Sequence, residues 1–438
     1  MAEAHAKPPA VEHALKVFRE DLDERTAAFL NACVRCGLCA ETCHVYLADR
    51  EPDSMPAAKV ERVARLFRRY HTLLGRLAPG LVGAEPITEE TLQALAVATF
   101  GRCTLCGRCA LNCSVGLDPA TIIRFARTML VAAGLVPKGI LGNIDAARAT
   151  GNTMSIGPDE VRETIAWLEE DLRHTLGDPG ASMPVDRMGA RVLYALNPRE
   201  LKFFPLSISA AAMIFHAAGE NWTLSSTDFD ITNYGYFAGD VEAQRAIAGR
   251  LIRRAEALGV QELVVAECGH GYRTLRWEAP EWLGRPLPFA VRSFVEVMAE
   301  YLAAGRLRLD PSRNPDAVTL HDPCNLVRNG GVIEEQRYLL RHAATTFVEM
   351  TPNREDNYCC GGGGGLLAAS EHTSKRLDAG KVKADQIRAT GAKVVASPCH
   401  NCIDQLMELN RHYALGIEVR TLGEIVADAL VLPAPPSS

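Results

Sequence analysis

The sequence predicts a mixed fold: a mostly α-helical front part, then an α/β unit used twice. Three observations carry that expectation. Two near-identical four-cysteine runs lie in the front part, with a helical insertion between them. From about Gly189 onward, short apolar strands alternate with helices, the pattern of a largely parallel sheet covered by helices. Within that second part, four sequence pieces recur in the same order.

Composition sets the class before any motif is used. At 438 residues the chain is long enough for two or three domains and a generous core. Hydrophobic content of 47% with 23% charged residues is ordinary for a water-facing globular protein. A formal net charge of -6 argues against a general nucleic-acid binder, which would be basic. Met1 to Pro9 is short, polar and Pro-containing, so no secretory signal is expected there. The most apolar run, Phe203 to Ala218, is short for a membrane span and carries Ser207, Ser209 and His216, which reads as a buried helix. Fourteen cysteines without an export signal suit a reducing cytoplasm, where thiols bind metal rather than pair.

The two runs are Cys33-x2-Cys36-x2-Cys39-x3-Cys43 and Cys103-x2-Cys106-x2-Cys109-x3-Cys113. Three thiolates spaced by two residues can wrap one cubane cluster, and the fourth cysteine ligates the other cluster. The expected sets are therefore Cys33, Cys36, Cys39 and Cys113 for one [4Fe-4S] cluster, and Cys103, Cys106, Cys109 and Cys43 for the second. Zinc, the alternative, favours paired C-x2-C knuckles over four-cysteine runs. Gly37 and Gly107 follow the second cysteine of each run, where backbone can approach inorganic sulfide. His44 and Ser114 replace the proline usual after the fourth cysteine. His44 reads either as a solvent-facing turn residue or as a hydrogen-bond donor to a cluster sulfur. In the insertion, Lys59, Arg62, Arg65, Arg68, Arg69 and Arg76 form a basic face against one acid, Glu61. Val60, Val63, Leu66, Phe67 and Leu73 are expected to pack inward. Either a solvated amphipathic helix or a docking face for an acidic partner or an anionic membrane fits that pattern.

The repeated pieces in the second half are specific. Val192–Arg199 parallels Val318–Cys324, and Asn233-Tyr234 with its following residues parallels Asn357-Tyr358-Cys359-Cys360. Ala257–Cys268 parallels Ala389–Cys399, and Val291–Glu296 parallels Val419–Glu424. Ligands in such folds sit at the carboxyl ends of the strands. Cys324 and Cys399 are placed there, ending Val318–His321 and Lys393–Ala396. The run Gly361–Gly365, followed by Leu366-Leu-Ala-Ala read as a helix, offers backbone N–H groups to an anionic cluster, Gly361 and Gly362 first. No G-x-G-x-x-G fingerprint follows a strand, so no dinucleotide is expected.

Counted from Cys324 to Cys402, Cys-x34-Cys-Cys-Gly-x37-Cys-x2-Cys resembles the CCG motif of heterodisulfide reductase subunits. With the paired cubane runs ahead of it, the chain resembles the HdrD/DsrK/TmcB-like proteins from about Asp21 to Leu432. The resemblance implies a fold class of a mostly α-helical ferredoxin-like 2[4Fe-4S] domain followed by a duplicated α/β CCG-type domain. It divides the chain into a flexible tail (1–20), the two-cluster domain with its insertion (21–135) and a helical linker (136–188). A degenerate CCG-type repeat (189–310), a complete one (311–432) and a disordered tail (433–438) complete the chain. It implies a non-cubane [4Fe-4S] cluster on Cys324, Cys359, Cys360, Cys399 and Cys402, at which a disulfide is cleaved. The first repeat departs from the motif: Arg199 stands opposite Cys324, Gly235–Phe237 replaces the paired cysteines, and Gly271 falls where Cys402 would. Only Cys268 survives, opposite Cys399. It reads either as a reactive thiol or substrate contact with His270 as proton donor, or as a buried remnant. His321, Arg328 and His400 flank the ligands as candidates for proton delivery or for holding an anionic substrate.

The resemblance further implies an oxidoreductase subunit of a respiratory complex, cytoplasmic and peripheral on the inner membrane face through a partner. It would couple a membrane cytochrome b-type subunit and quinone to heterodisulfide or protein-trisulfide chemistry, with a small DsrC-like cysteine protein as a further partner. The alternative is a relay subunit of a glycolate-, lactate- or glycerol-3-phosphate-type flavin dehydrogenase.

Overall fold

The computed structural model describes residues 9–432, so Met1–Pro8 and the tail 433–438 expected to be disordered lie outside the described residues. Residues 9–20 of the expected N-terminal tail form the helix Pro9–Glu20, which buries Val11, Ala14 and Phe18. The chain divides into two compact units. One takes the chain up to Leu141 together with Tyr234–Glu242 and Gly361–Val382; the other takes Gly142–Asn233, Ala243–Cys360 and the chain from Lys383 onward.

The first unit is helical. Asp23 caps Glu24–Ala32 by accepting from the Thr26 amide, and Cys33 ends that helix in extended backbone. The longest helix of the insertion is Pro56–His71, where a proline in the first turn suits the missing amide partner. Val60, Val63, Leu66 and Phe67 are buried as their spacing predicts. Leu73 is not: it is 74% exposed, because Thr72 adopts extended backbone after His71 and breaks the helical phase. Lys59 also departs from the expected basic face. It is buried and donates to the Arg102 carbonyl, while Arg62, Arg65 and Arg68 pair with Asp53, Glu85 and Glu61.

The second unit holds two four-stranded parallel sheets of the same topology. The strands are β1 (Val192–Ala195), β2 (Trp222–Thr223), β3 (Glu262–Val265) and β4 (Ala290–Ser293), then β5 (Val318–Leu320), β6 (Phe347–Val348), β7 (Val394–Ala396) and β8 (Glu418–Arg420). Their orders are β2-β1-β3-β4 and β6-β5-β7-β8. Register runs Leu193 to Leu263 and Thr319 to Val395 in the central pairs. The central strands are buried on both faces, which is why they read as continuous apolar runs. One core joins the sheets, from Val192, Tyr194 and Phe215 through Val318 and Leu320 to Leu422 and Val426. The apolar run Phe203–Ala218 becomes the helix Pro205–Ala217 within that core. Among the described residues no helix is long and apolar enough to cross a membrane.

Candidate functional site

Two cysteine cages lie in the first unit. Cys33, Cys36, Cys39 and Cys113 line one cavity, whose other walls include Val34, Val60, Leu117 and Ile122. Cys43, Cys103, Cys106 and Cys109 line the other, together with His44, Lys59 and Arg102. Each cage is shaped by the same local backbone. Gly37 and Gly107 are left-handed (φ 84° and 74°) and each precedes the short helix that carries the third cysteine. Arg35 and Leu105, at equivalent places in the two runs, are left-handed too (φ 57° and 53°). A non-glycine residue held there is strained, and such strain gathers where a loop must wrap a ligand. Neither position carries a residue type that signals this backbone.

Amide groups already face the sulfurs, with Leu105 N donating to Cys103 Sγ (3.4 Å) and Leu117 N to Cys113 Sγ (3.3 Å). Burial pushes the Cys39 thiol up to about 11 and raises Cys43, against the opposing charge of Lys59. A group that binds as thiolate is stable there only with a cation to compensate, which is a metal's role. His44 is buried, and among the described residues neither ring nitrogen has a hydrogen-bond partner, which corrects the solvent-facing reading. All-thiol donor sets with amide and imidazole donors around them fit iron–sulfur clusters.

The third group lies in the second unit. Cys324, Cys359, Cys360, Cys399 and Cys402 are all buried, and Cys360 Sγ lies 3.4 Å from Cys402 Sγ. His321, Cys360 and Cys402 offer ligand atoms within 4.8 Å of one another. Cys399 ends the loop after β7 and stands at the amino end of the helix His400–Tyr413. Cys268 holds the same place after β3, ahead of Gly269–Arg273, with the same extended backbone. The two sulfurs meet. Their mutual hydrogen bond lowers the Cys399 thiol and raises that of Cys268.

The flanking candidates separate by what they touch. His321 is fully buried, neither ring nitrogen has a hydrogen-bond partner among the described residues, and burial holds its pKa down to about 3. His270 is held down to about 3 by burial as well, and its Nε2 accepts from the Asn233 amide (2.8 Å). Arg328 donates to the Glu355 and Asn357 carbonyls at 2.6 and 2.5 Å, pinning the segment that leads into Cys359. His400 places Nδ1 on the Glu267 carbonyl (3.1 Å) and Nε2 on Ser207 Oγ (3.2 Å), so it braces β3's loop. Gly361 and Gly362 follow directly on Cys360 and are buried. Farther along the run, Gly364 packs on the Thr104 backbone, where an added Cβ would come within 2.8 Å. Leu366–Ala368 is a 3₁₀ turn rather than the start of an α-helix, which waits until Thr373.

Lys383 was missed by sequence reasoning. It is fully buried and donates to Asn357 Oδ1 (2.7 Å) and Gln386 Oε1 (2.5 Å). Burial pulls its amine down to about 7, while Asp322 and the thiols Cys360, Cys359 and Cys402 pull the other way. Asp322 in turn accepts two bonds from the buried Arg337 (2.8 Å each), fixing the turn that presents Cys324.

Comparison with known proteins agrees with this arrangement. Residues 29–117 match a 4Fe-4S dicluster domain and residues 318–407 a cysteine-rich domain, the CCG domain. An Hdr-like menaquinol oxidoreductase iron-sulfur subunit 2 of Archaeoglobus fulgidus is 28% identical, over 96% of this chain and 83% of its own. HdrD of the dihydromethanophenazine:CoB–CoM heterodisulfide reductase of Methanosarcina barkeri is 27% identical, over 92% of this chain and 94% of its own. An EtfAB:quinone oxidoreductase of Syntrophomonas wolfei is 22% identical, over 89% of this chain and 56% of its own. The chain thus carries a 4Fe-4S dicluster domain ahead of a CCG domain and is similar along nearly its whole length to heterodisulfide-reductase-like iron–sulfur subunits.

Proposed function

We propose that the chain is an oxidoreductase subunit joining a quinone-linked, cytochrome b-type membrane partner to thiol–disulfide chemistry. Two cubanes form the relay, one on Cys33, Cys36, Cys39 and Cys113, the other on Cys43, Cys103, Cys106 and Cys109. A non-cubane cluster is held by Cys324, Cys359, Cys360, Cys399 and Cys402. When bound, these groups supply one-electron transfer. The observation that carries the reading is the third group: five buried thiols from three separate stretches, with a sixth, Cys268, hydrogen-bonded to Cys399. The identical strand orders support an origin of the two α/β halves in one duplicated CCG-type unit.

Each flanking residue then has a task. Disulfide cleavage consumes two electrons and two protons, and in this reading His321, a neutral imidazole beside Cys360 and Cys402, is the candidate for relaying a proton. His270 backs the Cys268 loop. Arg328 and His400 hold Cys359 and Cys399 in position. Lys383 sets a buried amine near the anionic centre, whose charge favours the protonated form against the effect of burial. A small DsrC-like cysteine protein suits the thiol side, and the cytoplasmic membrane face suits the quinone side.

A relay role beside a flavin dehydrogenase is the second reading. The likeness to an EtfAB:quinone oxidoreductase favours it. Anoxic protein supplied with reduced viologen and a small disulfide separates the two. Under the first reading disulfide is consumed, added thiol perturbs the paramagnetic signal of the oxidised protein, and Cys359→Ser abolishes both. A fully clustered protein that passes electrons but never turns over disulfide would leave the relay.

A further inference from the structure

The insertion between the cysteine runs carries a surface that none of the redox centres uses. Between Glu61 and Glu85 the chain has five arginines and no carboxylate. Arg62, Arg65 and Arg68 are neutralised by Asp53, Glu85 and Glu61, at 2.7, 2.7 and 2.5 Å. Arg69 and Arg76 donate to backbone carbonyls instead, Arg69 to Gly75 and Arg76, and Arg76 to Tyr70. Among the described residues no carboxylate pairs with either. Arg19 lies over the Tyr70 ring (5.3 Å) and joins them around a surface depression of about 550 Å³.

Beside this cationic floor stand four leucines within nine residues: Leu73 (74% exposed), Leu74 (50%), Leu77 (76%) and Leu81 (81%). Single exposed leucines are ordinary, but a cluster of this kind marks a contact surface. The backbone explains why they face outward. The short helix Leu73–Leu77 buries only Gly75, whose ideal Cβ would lie 1.9 Å from the Arg68 carbonyl oxygen. That glycine seats the helix against the preceding one and leaves its leucines on the outside.

We propose that this tip, Leu73 to Leu81 with Arg19, Arg69 and Arg76, inserts into the headgroup region of an anionic lipid bilayer. Aliphatic side chains bordered by cations are the pattern of interfacial insertion, in which leucines enter the acyl boundary and guanidinium groups meet lipid phosphates. Protein interfaces favour aromatic anchors seated in pockets, and the exposed apolar residues of this tip are all leucines. The inference deepens the proposed membrane-side location and rests on none of the thiol chemistry.

The test is flotation of the anoxic, clustered full chain with phosphatidylcholine vesicles, with and without phosphatidylglycerol. The chain should float with the anionic vesicles, less so at high salt. Leu73→Glu with Leu77→Glu should lower partitioning at least about tenfold. Arg69→Gln with Arg76→Gln should remove the preference for phosphatidylglycerol. Both variants should keep the visible absorption and iron content of the parent, which separates lost insertion from lost folding. Parent protein that stays unbound, or a leucine variant that floats equally well, overturns the proposal. Association only with a membrane protein, never with lipid alone, overturns it as well.

Discussion

Lys383 concentrates the electrostatics of the third site in one side chain. An ammonium that keeps no contact with water is costly unless anionic neighbours offset the loss of hydration. Its neighbours are Asn357, Gln386 and the pull of three thiols and Asp322. A cation near a cluster stabilises the electron-rich state. At a separation on the order of 10 Å and an effective dielectric of about 20, the effect is on the order of 1 to 2 kcal/mol, or roughly 40–90 mV for one electron. Lys383→Met should therefore lower the midpoint potential of the third centre by about that much, read by redox-poised paramagnetic resonance. The signals of the other two centres should stay where they are. A third-centre potential that does not move would remove the amine from the electrostatic account. Arg127 is the counterpart in the first unit, a buried guanidinium donating to the carbonyls of Thr99, Cys103, Phe237 and Gly364 at 2.6–2.8 Å. Burial pulls it down to about 10, which still leaves it charged at neutral pH.

At the scale of elements, the matching pieces have a structural meaning. Ser293 with Glu296 and Thr421 with Glu424 each form a capping box on the helix after the last strand of its sheet. Cys268 and Cys399 occupy matching helix starts. Across the two halves, Glu267 reaches from β3's loop to accept from the Leu422 and Gly423 amides, at 2.8 and 3.1 Å. Those donors favour the carboxylate, but burial wins and lifts the group to about 8. A raised carboxyl contributes stability that is whole below the unfolded value near 4.5 and is lost as pH climbs through 8. Thermal unfolding under anoxia should show the parent losing stability between about pH 5 and 8 relative to Glu267→Gln, whose curve stays flatter. Curves that run parallel over that range would mean the carboxyl is not protonated in the folded chain.

Seen across the whole molecule, the legible parts are those written in spacing. The two four-cysteine runs and the CCG pattern were legible because spacing alone defines them, and residues 29–117 and 318–407 match the corresponding domains. The repeated α/β order was legible because buried parallel strands leave continuous apolar runs. The charged positions were not. Lys59 sits in a helix whose basic residues read as a solvated or docking face, and Lys383 drew no reading at all, yet each turns inward beside buried thiols. Leu73 was misplaced because the helical period runs on in the sequence after the backbone has left it at Thr72. Arg35 and Leu105 were invisible because nothing in a side chain other than glycine announces left-handed backbone.

The quantity that decides the account is iron, counted per polypeptide on strictly anoxic material with Mössbauer spectra alongside. Three centres require about twelve iron atoms, with one spectral component distinct from the two cubanes and absent from Cys360→Ser. About eight iron atoms, all in cubanes, or zinc in place of iron, would contradict it.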